Sequence, residues 1–308
     1  MLSSTLLTAS RSPRMRRLVT NAPWSRRVVE RFVVGESSGD AVDAARTLIG
    51  SGLAVTLDHL GEDTLDLSQA GATRETYATL LRLLADLDLA AQAEVSLKLS
   101  AVGQALPRGG HDIALENART ICAAAQQAGT TVTLDMEQHT TVDSTLAILH
   151  ELRVDFPGTG AVLQSCLYRT EADCRDLASA GSRVRLVKGA YLEPASVAHP
   201  AKADVDLAYA RCLEILMAGD GYPMVASHDP RMIELAGVLA ARHGRAPGSY
   251  EYQMLHGIRA GEQRRLASAG ERVRVYVPYG ADWYGYFMRR LAERPANVGF
   301  FFRSLLTR

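Results

Sequence analysis

Beyond about residue 40 the hydrophobic positions of this chain change period again and again. Short apolar runs, some with polar residues at every second position, alternate with longer stretches in which apolar residues recur at helical spacing. The first pattern predicts strands, the second amphipathic helices. Strands are predicted at residues 53–58, 95–100, 131–136, 161–166, 183–189, 222–228, 250–256 and 272–278. Helices are predicted at 74–90, 111–128, 140–153, 171–180, 203–218, 231–243 and 260–269, with another at 283–293 after the last strand. Residues 38–50 predict an additional helix before the first strand. Gly129, Gly181, Gly219, Gly244 and Gly270 lie at or just beyond the ends of these helical runs and punctuate them.

Eight strands alternating with eight helices predict an α/β protein whose sheet closes as a (βα)8 TIM-like barrel, rather than an open doubly wound sheet. No Gly-x-Gly-x-x-Gly turn follows an early strand, which removes the dinucleotide-binding fingerprint. No low-complexity linker divides the chain. The expected organisation is a basic N-terminal arm over residues 1–35 and a catalytic barrel over 36–308.

In such a barrel the active site lies at the carboxyl ends of the strands, and polar residues collect there. Lys98 and Ser100 end the second strand, Asp135 and then Glu137 the third, and Gln164 closes the fourth. The fifth carries Arg185 and Lys188, and Ser227, His228 and Asp229 end the sixth. Glu251, Gln253 and His256 belong to the seventh, and Tyr276 to the eighth. Alternation places Ser96, Lys98 and Ser100 on one face, and Thr133 and Asp135 on one face; both faces are assigned to the barrel interior. A single polar residue at a strand end means little. Their recurrence on nearly every strand carries the argument.

Composition narrows the chemistry. The 34 basic and 34 acidic residues balance, which argues against a nucleic-acid binder. Cys122, Cys166, Cys174 and Cys212 form no Cys-x-x-Cys pair, so a reducing cytoplasm is expected. Residues 1–29 contain six arginines and no acid. That stretch reads as an ordinary basic arm, with a mitochondrial transit peptide, or peripheral contact with anionic lipid at the inner face of the cell membrane, as its functional alternatives. No metal is expected: neither a His-x-His pair after the first strand nor a Glu-x-x-His pair on a helix is present. His228 and His256 then read as hydrogen-bonding groups.

Lysine is scarce. Lys98, Lys188 and Lys202 stand against 31 arginines, and the first two sit in strand-like runs. A charge carried into an apolar run is costly unless paired, which points to an anionic ligand. The last helix presents Tyr286 beside Arg289 and Arg290 at helical spacing, a pair able to grip a carboxylate through bidentate hydrogen bonds.

From about residue 31 to the end, the fragments resemble one family. They are Val95-Ser96-Leu97-Lys98-Leu99-Ser100, Leu134-Asp135-Met136-Glu137, Val162-Leu163-Gln164-Ser165 and Arg185-Leu186-Val187-Lys188-Gly189-Ala190-Tyr191. Ser227-His228-Asp229-Pro230, Tyr250-Glu251-Tyr252-Gln253, Tyr276-Val277-Pro278-Tyr279-Gly280 and Tyr286-Phe287-Met288-Arg289-Arg290 follow. In this order the chain resembles the proline dehydrogenase family, in particular its monofunctional bacterial members. The resemblance implies a distorted (βα)8 barrel holding FAD. It also implies oxidation of L-proline to Δ1-pyrroline-5-carboxylate, the first step of proline catabolism, with electrons passed to a membrane quinone. It further implies that Arg289, Arg290 and Lys98 bind the substrate carboxylate, and that Tyr276, Tyr286 and Leu255 surround the substrate ring. Arg185 corresponds to the arginine near flavin N5. Asp135 corresponds to an acid beside substrate and flavin, its part in proton handling left open. Met136, Gln164, Lys188, Gly189, Ala190, Ser227 and His228 correspond to flavin contacts.

The chain departs from the family pattern at Ser227-His228-Asp229, where many members have Thr-His-Asn, and at Gln138, where many have a second acid. Asp229 exchanges an amide donor for an acceptor. No aldehyde dehydrogenase domain is visible, so the product is expected to be released. Apart from the resemblance, two other readings of the residues stay open. One is a Schiff-base lyase using Lys98 or Lys188; the other is a barrel that binds a small acid without transforming it.

Overall fold

The computed structural model describes residue 29 and residues 31–293, with 291–293 described as helix only. A helix, α1 (Ser38–Gly50), precedes the barrel. The strands are β1 (Ala54–His59), β2 (Ala93–Leu97), β3 (Val132–Leu134), β4 (Gly160–Gln164), β5 (Arg183–Val187), β6 (Tyr222–Ala226), β7 (Glu251–Leu255) and β8 (Val273–Tyr279). After them, in turn, come α2 (Leu67–Asp86), α3 (Gly110–Ala128), α4 (Val142–Asp155), α5 (Thr170–Leu177), α6 (Lys202–Ala218), α7 (Pro230–Arg242), α8 (Ala260–Ser268) and α9 (Trp283–Glu293). The sheet closes, each strand parallel to its neighbours and β8 returning to β1. Most of the proposed arm, residues 1–28 and residue 30, lies outside the described residues, as do residues 294–308.

Several element boundaries moved, for identifiable reasons. The second helix begins at Leu67, well before the predicted residue 74. Its cap is the Asp66 side chain, which accepts from the amides of Ser68 (2.7 Å) and Gln69 (3.1 Å). The first turns of α2 bury little apolar surface, Leu67 itself being exposed, so periodicity gave no signal there. Strands β2 to β7 end earlier than the apolar runs suggested, Lys98, Asp135 and Lys188 already belonging to the loops that leave the barrel, whereas β1 and β8 each end one residue later.

Strand parity then sorts the side chains. Val55, Leu57, Val95, Leu97, Val184, Leu186, Val275 and Val277 point outward into the main core, where Leu80, Ile121, Leu149 and Leu213 of the helices cover them. Inward-facing positions carry charge where branched apolar residues usually fill such a barrel. Among the described residues four inward cations, Lys98, Arg183, Arg185 and Arg274, meet four acids, Asp58, Glu94, Asp135 and Glu251. Equal numbers are what burial demands, since an unpaired buried charge is strongly disfavoured.

Candidate active site

The lumen is layered. At its floor Glu94 accepts from Thr56 Oγ1 (2.9 Å) and from Arg183 (2.5 Å), with Arg185 at 3.3 Å and Arg274 at 3.8 Å. Burial alone would raise its pKa; Arg183, Arg274 and Arg185 outweigh that and hold it well below the usual carboxylate range. Arg274 is shared with Glu251 (2.7 Å), which also receives Gln253 Nε2 at 2.6 Å.

Above the floor, Arg185 is fixed on three sides. Its Nε donates to Gln253 Oε1 (2.5 Å), and its Nη1 to Ser96 Oγ (2.8 Å) and Asp135 (2.9 Å). Its guanidinium carbon lies 5.3 Å over the Tyr276 ring. Asp135 also accepts from Ser96 Oγ (2.7 Å) and the Tyr276 hydroxyl (2.6 Å). Burial works against its charge, but Lys98 and Arg185 lower its pKa on balance.

At the strand ends Lys98 Nζ donates to both oxygens of Asp58, at 2.8 and 2.7 Å, and lies 3.5 Å from Asp135. Burial disfavours the ammonium, yet Asp58 and Asp135 more than compensate and raise its pKa. On α9, Arg289 pairs with Glu62 of the β1–α2 loop (3.0 Å) and lies 5.5 Å over the ring of Tyr191. Arg290 lies 5.1 Å over Tyr286. The charges of Asp58 and Glu62 act on both Lys98 and Arg289, so the two cations share one acidic neighbourhood.

The other candidates surround this centre. Met136 is buried after β3, and Gln164 Nε2 donates to the Glu137 carbonyl at 2.8 Å. Leu255 ends β7 half-buried, its amide donating to His228 Nε2 at 2.9 Å. Ser227 Oγ accepts from the Asp229 amide at 3.1 Å. Gly189 and Ala190 lead out of β5 with Gly189 exposed at φ +108°, and its Cα faces Cys166 Sγ too closely for any side chain. Lys188 parts company with Arg185. Its Nζ reaches outside the lumen to Asp206 on α6 (2.5 Å) and to Asp229 (3.0 Å). Asp229 in turn caps α7 and pairs with Arg231 at 2.9 Å. The acid in place of the family's amide is thus engaged with two cations.

Sequence reasoning missed five participants. The sequence pattern gives no role at the site to Asp58, Glu62 or Tyr191. Glu94 and Arg274 were overlooked, although stepping back two residues from Ser96 and Tyr276 along each strand leads to them. Among the described residues, no group of three or more His, Cys, Asp or Glu side chains is placed to hold a metal ion.

Glu137 gives a pH signature. Its carboxyl is buried against Ser100, whose hydroxyl donates at 2.5 Å and whose amide at 3.1 Å. Burial raises its pKa from 4.5 to about 7. A carboxyl raised on folding keeps its proton where the unfolded chain has lost it, so stability falls as pH rises from about 4.5 to about 7. Glu137→Gln removes that slope. Denaturant unfolding across the range should show the wild type losing on the order of 3 kcal/mol more than the variant; parallel profiles would contradict the assignment.

A closed barrel with a charge-balanced lumen, opening at the strand ends onto ammonium, guanidinium and phenol groups, defines an α/β-barrel enzyme site suited to a small carboxylated molecule. The model of the family "Proline dehydrogenase" matches residues 41–303. The proline dehydrogenase of Deinococcus radiodurans is 41% identical over 304 residues, covering 98% of this chain and 96% of its own. Proline dehydrogenase 1 of Bacillus subtilis strain 168 is 39% identical, covering 90% of each. Among solved structures, proline utilization A (PutA) from Bdellovibrio bacteriovorus, inactivated by N-propargylglycine, superposes with a TM-score of 0.79 at 25% identity. That match covers 87% of this chain, which spans 33% of that larger protein. The chain belongs to the proline dehydrogenase family.

Proposed function

We propose that this protein oxidises L-proline to Δ1-pyrroline-5-carboxylate, with FAD as bound electron acceptor and a quinone as the onward one. The observation that carries the reading is the set of cations at the strand ends in a chain of this family: Lys98 on Asp58 and 3.5 Å from Asp135, which accepts from the Tyr276 hydroxyl, and Arg289 on Glu62. The donor set fits FAD. Gly189 offers an exposed backbone with no side chain in the way, Arg185 supplies positive charge in the lumen, and Met136 supplies an apolar surface, whereas the Lys188 ammonium is taken up by Asp206 and Asp229. Arg185, Met136, Gln164, Lys188, Gly189, Ala190, Ser227 and His228 are the residues we assign to hold it. Bound FAD would supply two-electron acceptance: it would take a hydride from proline C5, while the ring nitrogen gives up its proton and the C5–N bond becomes an imine.

The protein's own part is pose and field. Lys98, Arg289 and Arg290 grip the substrate carboxylate and fix the orientation of the ring. Tyr276, Tyr286 and Leu255 bound the ring and exclude water from it. Arg185, held rigidly by Ser96, Gln253 and Asp135, places a fixed positive charge where negative charge develops. Asp135, its pKa lowered, is a weak base; its service is to orient Arg185 and Tyr276. The amine proton then leaves to water. No helix among the described residues is long and apolar enough to cross a membrane.

A Schiff-base lysine must lose its proton to attack a carbonyl. Asp58 grips Lys98 through both oxygens, and Lys188 faces Asp206 and Asp229. Asp58 favours the Lys98 ammonium, and Asp206 and Asp229 hold Lys188 outside the lumen; both weigh against the lyase. The direct test is an anaerobic absorbance spectrum of the purified protein. It should show the bands of bound flavin, and L-proline should bleach them. A colourless protein, or flavin bands indifferent to L-proline, would defeat the reading.

A further inference from the structure

The helix that carries Arg289 and Arg290 does not join the main core. Trp283, Phe287 and Met288 of α9 belong to a separate buried cluster, together with Phe32, Val33 and Ile258. Phe287 is fully buried, and its ring lies 6.4 Å from that of Phe32 and 6.0 Å from that of Trp283. Residues two apart on a helix point to nearly opposite sides. Phe287 therefore faces residues 31–35 while Arg289 faces Glu62 and Tyr191.

The segment 31–35 is itself tied to the barrel mouth. The Val34 amide donates to the Pro278 carbonyl at 3.2 Å, and the Gly280 amide to the Gly35 carbonyl at 2.9 Å, both at the end of β8. Beyond β7, Gly257 adopts φ +73°, and the Arg31 carbonyl occupies the space a Cβ would need there. The segment is thus a strap laid across the ends of β7 and β8, with Phe32 directed at α9.

We propose that Phe32 is a positioning residue for the substrate site: it seats Phe287 and so sets where α9 presents Arg289 and Arg290 to a carboxylate. This rests on the proline reading above and assigns part of the expected arm, residues 31–35, to the barrel. The physical reason is leverage. Loss of a packed ring lets the helix settle toward the cavity, and a shift of about 1 Å in a positioning group can cost on the order of a hundredfold.

The test is Phe32→Ala in the full chain loaded with FAD. KM for L-proline should rise about tenfold or more while kcat changes little, because α9 supplies the carboxylate grip while Arg185 and Tyr276 beside the reacting bond stand on strands. The dissociation constant of a five-membered-ring carboxylate lacking nitrogen, read from the flavin spectrum, should rise in parallel. Phe32→Leu should restore most of both, since it keeps an apolar body of similar reach. If Phe32→Ala does not accumulate folded, Val33→Ala makes the same test more gently. A variant that loses thermal stability or flavin but keeps the wild-type KM and dissociation constant shows Phe32 to be structural only and overturns the inference. Failure of L-proline to reduce the wild-type flavin would instead overturn the functional reading.

Discussion

Lys98→Met should be folded but less stable than the wild type by about 3–5 kcal/mol, and its KM for L-proline should rise about ten- to a hundredfold. Two consequences of one deletion are combined here. Lys98 is buried with both oxygens of Asp58 on its ammonium. Methionine fills the space and leaves Asp58 buried without its cation, and that is the source of the stability loss. The same change takes one cation from the substrate carboxylate and leaves Asp58 and Asp135 to repel it. The double variant Lys98→Met with Asp58→Asn separates the two. Removing the stranded carboxylate should recover much of the stability, while KM should stay high. Urea unfolding and steady-state kinetics on the two variants and the wild type decide the matter. A single variant with lowered stability and an unchanged KM would make Lys98 only the partner of Asp58.

Glu94→Gln should cost about 3–5 kcal/mol as well, by a different route. Glu94 is the acid that Arg183, Arg185 and Arg274 share at the barrel floor. Glutamine keeps the shape but removes the charge and turns an N–H toward a guanidinium. Arg274 retains Glu251 and Arg185 retains Asp135, so Arg183 loses most. Because the residue lies below the strand ends, KM for L-proline should move far less than in Lys98→Met. The urea midpoint reports the loss. A midpoint within experimental error of the wild type would mean that the floor is held by packing rather than by charge.

The two variants mark the limits of what could be read along the chain. Period-two alternation identified Ser96, Lys98 and Asp135 as lumen-facing, and the structure places all three on the inner face of the sheet or at its end. The same rule extends two residues back to Glu94 and to Arg274, and the reading failed only by stopping at the strand ends. Asp58 is different. Its strand and parity were legible, but nothing near it in sequence indicates a partner forty residues away. Glu62 and Tyr191 lie on loops, where side-chain direction has no period, so no local rule could place them around Arg289. The start of α2 escaped for a related reason: a capped but largely exposed first turn carries no hydrophobic repeat.

Local chemistry was therefore sufficient for the closed eight-stranded barrel and for the lumen face of Ser96, Lys98 and Asp135, though not of Ser100, which lies in the turn after β2. Those features follow from burial with a fixed repeat, and a repeat is visible in one dimension. Pairing is not. That Lys98 meets Asp58, that Arg289 meets Glu62 over Tyr191, and that Lys188 leaves the lumen for Asp206 and Asp229 was settled only when the barrel closed. Buried charges must find opposite charges, and which ones come within reach depends on strand register and loop path, which no single segment of the chain contains.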